Sequence, residues 1–271
     1  MMRNTIPLNS LRVLIRGAGE QASGVAYRLV RARLKVVMTE IPHPLCVRRG
    51  VSFCEAVVEG HKEVEGVTAR CVASAEEVPA AWSEGVIPLL IDPSGSCRAI
   101  IKPHVIVDAI LAKRNLGTHK GDAPLVIGLG PGFSAGEDVD VVIETNRGHD
   151  LGRVIYDGPA EPDTGVPGVI AGVGAERVLR APRAGMFRPI KEIGEMVEPG
   201  ETIAWVEDQP VKAAIPGVLR GLLRKGIVVQ KGLKAGDVDP RGRRANCFTI
   251  SDKARAIGGG VLEAILARFN G

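Results

Sequence analysis

A glycine run between a strand-like and a helix-like segment constrains the fold of this chain most strongly. Residues 11–15 form a short apolar run, Gly17-Ala18-Gly19 follows, residues 25–32 have a helical pattern, and residues 35–39 form a second apolar run. This order is typical of a β-α-β unit, in which a helix joins two parallel strands. The sequence therefore predicts an α/β domain with a parallel sheet at its beginning.

The spacing inside the glycine run predicts a phosphate-binding turn of the Rossmann type. Gly17 would allow the tight turn from strand to helix, and Gly19 would let the backbone approach a phosphate at the helix start. Glu40 follows the second strand, where a Rossmann acid commonly binds a ribose hydroxyl. The predicted contacts to a nucleotide are Gly17, Gly19, Ser23, Gly24 and Glu40. The alternative is a glycine turn that only packs a helix on a sheet.

Two later loops follow apolar runs and are further candidates for ligand contacts. Asp92 comes directly after the apolar residues 86–91, on the edge where open parallel sheets place ligand loops. Gly130 and Gly132 follow residues 125–129 and could present a backbone nest to an anion. A simple Asp-Pro turn and ordinary glycine turns are the alternatives at these two places.

Polar residues gather after a further apolar run that ends near residue 144. Glu144, Arg147 and His149 lie close together in the sequence and predict a polar site. His149 is the best proton-transfer candidate, with Glu144 as a second catalytic candidate, although a histidine on a surface turn is the alternative. Arg147 is predicted to contact the anionic part of a ligand.

A pair of arginines flanked by cysteines gives another candidate cluster. Arg48 and Arg49 could accept additional phosphates of a larger, dinucleotide-like ligand. Their charge could also favour the thiolate of Cys46 or Cys54, which makes Cys54 a third catalytic candidate. A buried, inert cysteine is the favoured alternative. The five cysteines have no CxxC spacing, so neither a disulfide framework nor a metal site is predicted.

The length of 271 residues predicts at least two domains. We place a Rossmann-like nucleotide-binding domain at residues 1–120 and a mainly β domain at residues 121–271, which ends in a helix over residues 261–269. Within the second domain, residues 179–240 contain two similar glycine-punctuated halves that resemble the barrel-sandwich hybrid of biotinyl and lipoyl domains. The expected hairpin tip holds Asp208-Gln209-Pro210 instead of a lysine, so we infer this fold without the carrier modification.

Composition excludes several classes of function. The 35 basic and 31 acidic residues are interspersed and only 3% of the chain is aromatic, which argues against nucleic-acid binding. A slightly basic chain is compatible with a small phosphorylated ligand. No run is long and apolar enough for a membrane helix and no signal peptide is evident, so we expect a cytoplasmic protein without membrane contact.

Taken together, the motifs are similar to the selenium-dependent molybdenum hydroxylase system protein family. The matching segments begin with Arg16-Gly17-Ala18-Gly19 and continue through residues 22–24, 37–41, 47–57, 107–110, 129–133, 143–145, 147–153 and 236–242. The resemblance implies an accessory factor in the maturation of a molybdenum hydroxylase, which would be its protein client. It also implies a distant likeness to maturation factors of xanthine and carbon monoxide dehydrogenases.

Three functions follow from these expectations. The first is a maturation factor that binds a nucleotide or a dinucleotide form of the molybdenum cofactor. The second is an NAD-dependent oxidoreductase acting on a small substrate, and the third is a protein-docking module without catalysis. The sequence does not decide whether the chain is an enzyme, whether the ligand is a nucleotide, NAD or molybdopterin dinucleotide, or whether a homo-oligomer forms.

Overall fold

The computed structural model describes residues 6–270 and divides into two compact units. The first unit comprises the described residues up to Pro44, Phe53–Asp163, and the residues from Ile250 onward. The second comprises Leu45–Ser52 and Thr164–Thr249. The predicted boundary between residues 120 and 121 therefore falls inside the first unit. The reason is that the strand after this boundary pairs in parallel with the strand before it.

The first unit is built on a nine-stranded, mostly parallel sheet with the order β10-β9-β7-β6-β1-β2-β5-β4-β3. A separate antiparallel pair is formed by β8 and β11. The strands are β1 (Arg12–Arg16), β2 (Lys35–Glu40), β3 (His61–Val64), β4 (Val67–Cys71), β5 (Ile87–Ile91), β6 (Val105–Asp108), β7 (Leu125–Leu129), β8 (Ser134–Ala135), β9 (Val141–Ile143), β10 (Val154–Ile155) and β11 (Gly158–Pro159).

The central strands are apolar because both faces of the sheet are covered, as is usual for parallel sheets. In β1, Val13, Leu14 and Ile15 are fully buried, and every residue of β7 is buried. Strand β1 pairs in parallel with β2 on one side and with β6 on the other. The chain thus forms β2 and β5 on one side of β1 before it continues into β6 on the other side. The loops after β1 and β6 consequently leave the sheet edge side by side.

Five α-helices accompany this sheet. They are α1 (Glu20–Arg31), α2 (Ala56–Glu59), α3 (Val78–Ser83), α4 (Arg98–Ile101) and α5 (Asp252–Phe269). The predicted β-α-β unit is confirmed by β1, α1 and β2. Helix α5 begins at Asp252 rather than at residue 261, because Ser251 caps it by accepting a hydrogen bond from the Ala254 amide at 3.3 Å. It packs on α1 in the first unit.

The second unit is mainly β and contains two four-stranded antiparallel sheets, with the orders β12-β19-β17-β14 and β16-β15-β13-β18. Its strands are β12 (Val178–Arg180), β13 (Gly185–Pro189), β14 (Met196–Val197), β15 (Thr202–Val206), β16 (Gln209–Lys212), β17 (Gly217–Leu222), β18 (Val228–Val229) and β19 (Lys234–Asp239). Phe187, Leu219 and Val238 are fully buried in its core. The prediction of an α/β domain with a parallel sheet, followed by mainly β structure, is confirmed at this level.

Candidate functional site

The loop after β1 makes a tight turn that depends on glycine. Gly17 has a φ of +96°, and a Cβ atom there would lie 2.9 Å from the carbonyl oxygen of Ala109. Its amide donates to the Thr39 carbonyl at 2.8 Å. Gly19 is the N-cap of α1 and provides no side-chain cap for the helix amides. The positive end of α1 is therefore presented at the carboxyl ends of the strands.

Glu40, the last residue of β2, is hydrogen-bonded directly to this loop. One oxygen of its carboxylate accepts from the Ala18 amide at 2.9 Å, and the other accepts from the Ile41 amide at 2.8 Å. Burial raises the pKa of Glu40, and hydrogen bonds from Ile41 and Ala18 only partly offset this effect. The structure thus brings Gly17, Gly19 and Glu40 together, and their contact with a ligand stays a prediction.

Ser23 and Gly24 lie behind the loop instead of facing outward. The Ser23 side chain is fully buried, donates to the Ala18 carbonyl at 3.1 Å and accepts from the Phe53 amide at 2.8 Å. Gly24 packs against α5, because a Cβ there would come within 2.6 Å of the Ala254 Cβ. These two residues therefore position the loop and the helix. Cys54, a catalytic candidate, is also buried.

A buried ion pair joins the last residues of β1 and β6. The Arg16 guanidinium lies 3.4 Å from the Asp108 carboxylate, and Thr118 donates to the same carboxylate at 2.6 Å. Arg16 also donates to the Thr118 hydroxyl, and the Ile110 amide binds the second Asp108 oxygen at 3.1 Å. Sequence reasoning missed Arg16 and Thr118. The available signal was an arginine directly after the three apolar residues of β1.

Asp92 organises the loop that follows β5. Its carboxylate accepts from the hydroxyls of Ser94 and Ser96 at 2.9 and 3.1 Å, and from the Cys97 amide at 2.8 Å. Burial acts to raise the pKa of Asp92, but the hydrogen bonds, led by the Cys97 amide, outweigh it and lower the pKa to about 2. Burial and the nearby Asp92 carboxylate raise the pKa of Cys97 to about 12, so its thiol stays protonated.

We expect Asp92→Asn to lower the free energy of unfolding by about 1 kcal/mol at pH 7, after discounting for solvent screening of a partly exposed group. The folded-state pKa of Asp92 lies below its unfolded value of 3.8, so its contribution is present above about pH 4 and is lost as the pH falls towards 2. Urea unfolding between pH 2.5 and 7 would measure this. The exposed Asp157→Asn is the matched control. A wild-type advantage that is independent of pH would contradict the assignment.

The glycine loop after β7 is shaped by close backbone packing. Gly130 has a φ of +71°, and a Cβ atom there would overlap the Thr145 hydroxyl. A Cβ on Gly132 would lie 2.6 Å from the Arg114 amide nitrogen. The amide of Gly130 donates to the Ile143 carbonyl at 2.9 Å, so it is engaged within the fold. These contacts explain both glycines without a ligand.

The polar cluster after β9 is distributed over several local contacts. Glu144 is buried, and its carboxylate accepts from the amides of Asn146 and Glu161 at 2.6 and 2.8 Å. Arg147 forms a two-pronged ion pair with Asp252 at 2.7 and 2.9 Å, at the first turn of α5. His149 is exposed. The contacts of Glu144 and Arg147 therefore stabilise the turn and the start of α5.

Arg48 and Arg49 lie in the second unit, where both bind backbone carbonyls. Arg48 donates to the carbonyls of Arg220 and Asn246 at 3.0 and 3.1 Å, and Arg49 donates to that of Leu222 at 2.8 Å. These bonds attach Leu45–Ser52 to the remainder of the unit. Their role in binding phosphate stays a prediction.

Residues 6–270 contain neither a metal-binding cluster nor a membrane-spanning helix. No group of three or more His, Cys, Asp or Glu side chains is arranged to hold a metal ion within this part of the chain. Within the same range, no helix has the length and apolar character needed to cross a membrane.

Comparison with known proteins gives one curated relative of high identity. It is the uncharacterized protein YqeB of Escherichia coli (strain K12), which is 51% identical over 266 residues, covering 98% of this chain and 49% of that protein. The chain thus spans about half the length of the curated relative it matches. No protein-family model matches the chain.

Solved structures give only loose similarities. A succinylglutamate desuccinylase/aspartoacylase from Rhodobacter sphaeroides has a TM-score of 0.21 and 26% identity, covering 31% of this chain and 29% of that one. An aspartoacylase family protein from Mesorhizobium loti has a TM-score of 0.26 and 8% identity, covering 84% of each chain. Superpositions this loose assign no activity to the present chain.

These comparisons correct the predicted family and function. The structures found belong to the desuccinylase and aspartoacylase group, the curated relative is uncharacterized, and neither finding leads to a molybdenum hydroxylase maturation factor. The predicted membership is therefore wrong, and the molybdenum cofactor and the hydroxylase client that it implied are withdrawn with it. The alternatives, an NAD-dependent oxidoreductase and a docking module, also find no support.

Proposed function

We propose that the first unit binds a nucleotide at the carboxyl-end edge of its sheet, beside the Gly17 loop. The observation that carries this proposal is the closure of the loop on Glu40, through the 2.9 Å bond from the Ala18 amide, next to a helix start without a side-chain cap. A carboxylate and an uncapped helix N-terminus side by side match the two ends of a ribose phosphate.

The strand order supports this location. Read from one side, β5-β2-β1-β6-β7-β9 has the arrangement of a doubly wound Rossmann sheet, whose order reverses between β1 and β6. Open sheets of this kind bind ligands in the crevice at the reversal, beyond the carboxyl ends of the strands. The loops after β1 and β6 meet at this point, and the buried Arg16–Asp108 pair holds them in place. We infer a Rossmann-like unit on these grounds.

Apolar side chains beside Glu40 offer a surface for the base. Ile41 and Ile91 are 37% and 47% exposed, and Ile91 pairs with Glu40 in the register of β2 and β5. Exposed isoleucines at the end of buried strands are suited to contact a flat, weakly polar ring. The proposed ligand therefore places its base near these two residues, its ribose at Glu40 and its phosphate at the start of α1.

For the second unit, we infer a barrel-sandwich hybrid. Its two four-stranded antiparallel sheets and their shared core support this inference. Asp208 stands between β15 and β16, where related carrier domains place the modified lysine, and Lys212 lies at the end of β16. We therefore assign no carrier function to this unit.

The nucleotide proposal is tested by Glu40→Gln. Calorimetric titration with ADP, GDP, CDP and UDP would identify the best of these probes, and its 2′-deoxy form would then be compared. We expect the wild type to bind the ribonucleotide about 10-fold more tightly than the deoxy form, because an ionised carboxylate forms strong hydrogen bonds with hydroxyls. Glu40→Gln should remove most of this difference.

The exposed Glu63→Gln serves as the control, because it makes the same chemical change away from the loop. It should retain the preference of the wild type for the ribonucleotide. If no nucleoside diphosphate binds the folded wild type at millimolar concentration, the proposal is wrong. If Glu40→Gln keeps the full preference for ribose, the ligand lies elsewhere.

A further inference from the structure

A second cavity lies at the opposite edge of the large sheet, where its strands begin. This strand-start cavity encloses about 690 Å³ and is formed by the first residues of β1 and β2, by α3 with the turn before it, and by α4 with Lys102. A volume of this size lies within the range of small-molecule sites. The five residues of β1 span roughly 13 Å between this cavity and the Gly17 loop. The two sites are therefore separate.

One wall of the strand-start cavity is a fixed aromatic and aliphatic surface. Trp82 lines it together with Val78 and Ile101, which are buried, and Ile100, which is 56% exposed. The indole nitrogen of Trp82 donates to the Val36 carbonyl at 2.7 Å. Because its polar atom is already bonded, the ring offers an immobilised apolar surface to a ligand.

The rim of the cavity carries an excess of positive charge. Arg12, Lys35 and Lys102 line it, whereas Glu76 is its only acidic lining residue among those described. The Lys35 ammonium lies 5.8 Å from the centre of the Trp82 ring. In the described part of the chain neither lysine has a carboxylate partner. An apolar wall with two such cations at its edge is complementary to an apolar anion.

Lys102 is held at this rim in a conformation that favours glycine. It ends α4 with a φ of +48°, in the left-handed region where helix ends usually have glycine. Its amide donates to the Arg98 carbonyl at 2.9 Å, and its own carbonyl accepts two bonds from the Arg12 guanidinium at 3.1 and 2.8 Å. Lys102 thus lines the cavity in a strained backbone conformation, and residues with such strain cluster at ligand sites.

We propose that the strand-start cavity binds a small aromatic carboxylate. Its ring packs on Trp82 and Ile100, and its carboxylate lies between the ammonium groups of Lys35 and Lys102. Both halves of the ligand are needed, since the wall supplies apolar contact and the rim supplies charge. The cavity is independent of the nucleotide site proposed above.

The test uses 2-naphthoate and its neutral counterpart 2-naphthylmethanol, titrated into the full chain by calorimetry. We expect the wild type to bind the carboxylate about 10-fold more tightly than the alcohol. Lys102→Gly should weaken naphthoate binding about 5- to 10-fold and leave alcohol binding unchanged. The variant should remain folded, because glycine adopts the required backbone conformation without strain.

Lys113→Gly is the matched control. Lys113 is also a lysine of the first unit with a positive φ, at +63°, but it does not line the strand-start cavity. This variant should bind naphthoate as the wild type does. The proposal is overturned if neither probe binds at millimolar concentration, if acid and alcohol bind equally, or if the two glycine variants behave alike.

Discussion

Gly260→Ala should lower the free energy of unfolding by about 3 kcal/mol, whereas Gly259→Ala should raise it by up to about 1 kcal/mol. Both residues lie inside α5, so the intrinsic gain in helix propensity is the same. A Cβ on Gly260 would overlap the carbonyl oxygen of Gly152 and lie 3.1 Å from Ile143, whereas a Cβ on Gly259 has no atom within 4 Å. The difference in unfolding free energy between the two variants therefore measures the effect of the close contact between α5 and the Gly152 backbone.

Equilibrium unfolding in urea, followed by circular dichroism, would measure both variants against the wild type. A similar effect at both positions would contradict the close contact between α5 and the Gly152 backbone. An intermediate position is available in Gly258, where a Cβ would lie 3.0 Å from the Gly24 carbonyl oxygen. Gly258→Ala should therefore destabilise the chain by less than Gly260→Ala.

The same glycines explain why the sequence misplaced the beginning of α5. Three consecutive glycines are unfavourable in a helix, so the pattern indicated a helix only from residue 261. In the structure, Gly258 and Gly260 face neighbouring backbone that leaves no room for a side chain. Tertiary packing requires them, and the partners that require them are distant in sequence. Local propensity contained no information about these contacts.

The β-α-β unit could be predicted because its signals are local. The apolar run of β1, the glycine turn and the acid at the end of β2 lie within 29 residues, Arg12 to Glu40, and the structure brings Gly17 and Glu40 together. In contrast, Arg16 is separated from Asp108 and Thr118 by about a hundred positions, and nothing in this spacing indicates a shared ion pair. Such long-range pairs follow only from the strand order.

The candidate site shows the same division between local and distant information. Ser23 was predicted to contact a ligand because it stands in the glycine loop, but its hydroxyl binds Ala18 and the distant Phe53 amide. Gly130 was predicted to form a nest for an anion, and the position requires glycine because Thr145 approaches it. The residue types were informative, but which atoms they face depended on neighbours that a single sequence does not reveal.

Gly19→Asp should weaken the binding of a nucleoside diphosphate by at least about 100-fold, while the free energy of unfolding of the chain stays unchanged. Gly19 is the N-cap of α1 with φ −70° and ψ −173°, a conformation open to any residue. An aspartate there would cap the helix, and its carboxylate would take the amides proposed to bind the phosphate.

Gly19→Asn distinguishes charge repulsion of the phosphate from steric obstruction of its binding site. Asparagine caps a helix about as well as aspartate and has nearly the same size, but it does not repel a phosphate. We expect it to weaken ADP binding by about 10-fold, between the wild type and Gly19→Asp, with thermal unfolding confirming that all three chains fold. If both variants bind as the wild type does, the phosphate does not lie at α1. If they lose binding equally, obstruction rather than charge controls the site, and raising the salt concentration should leave the loss unchanged, because screening acts only on the repulsion.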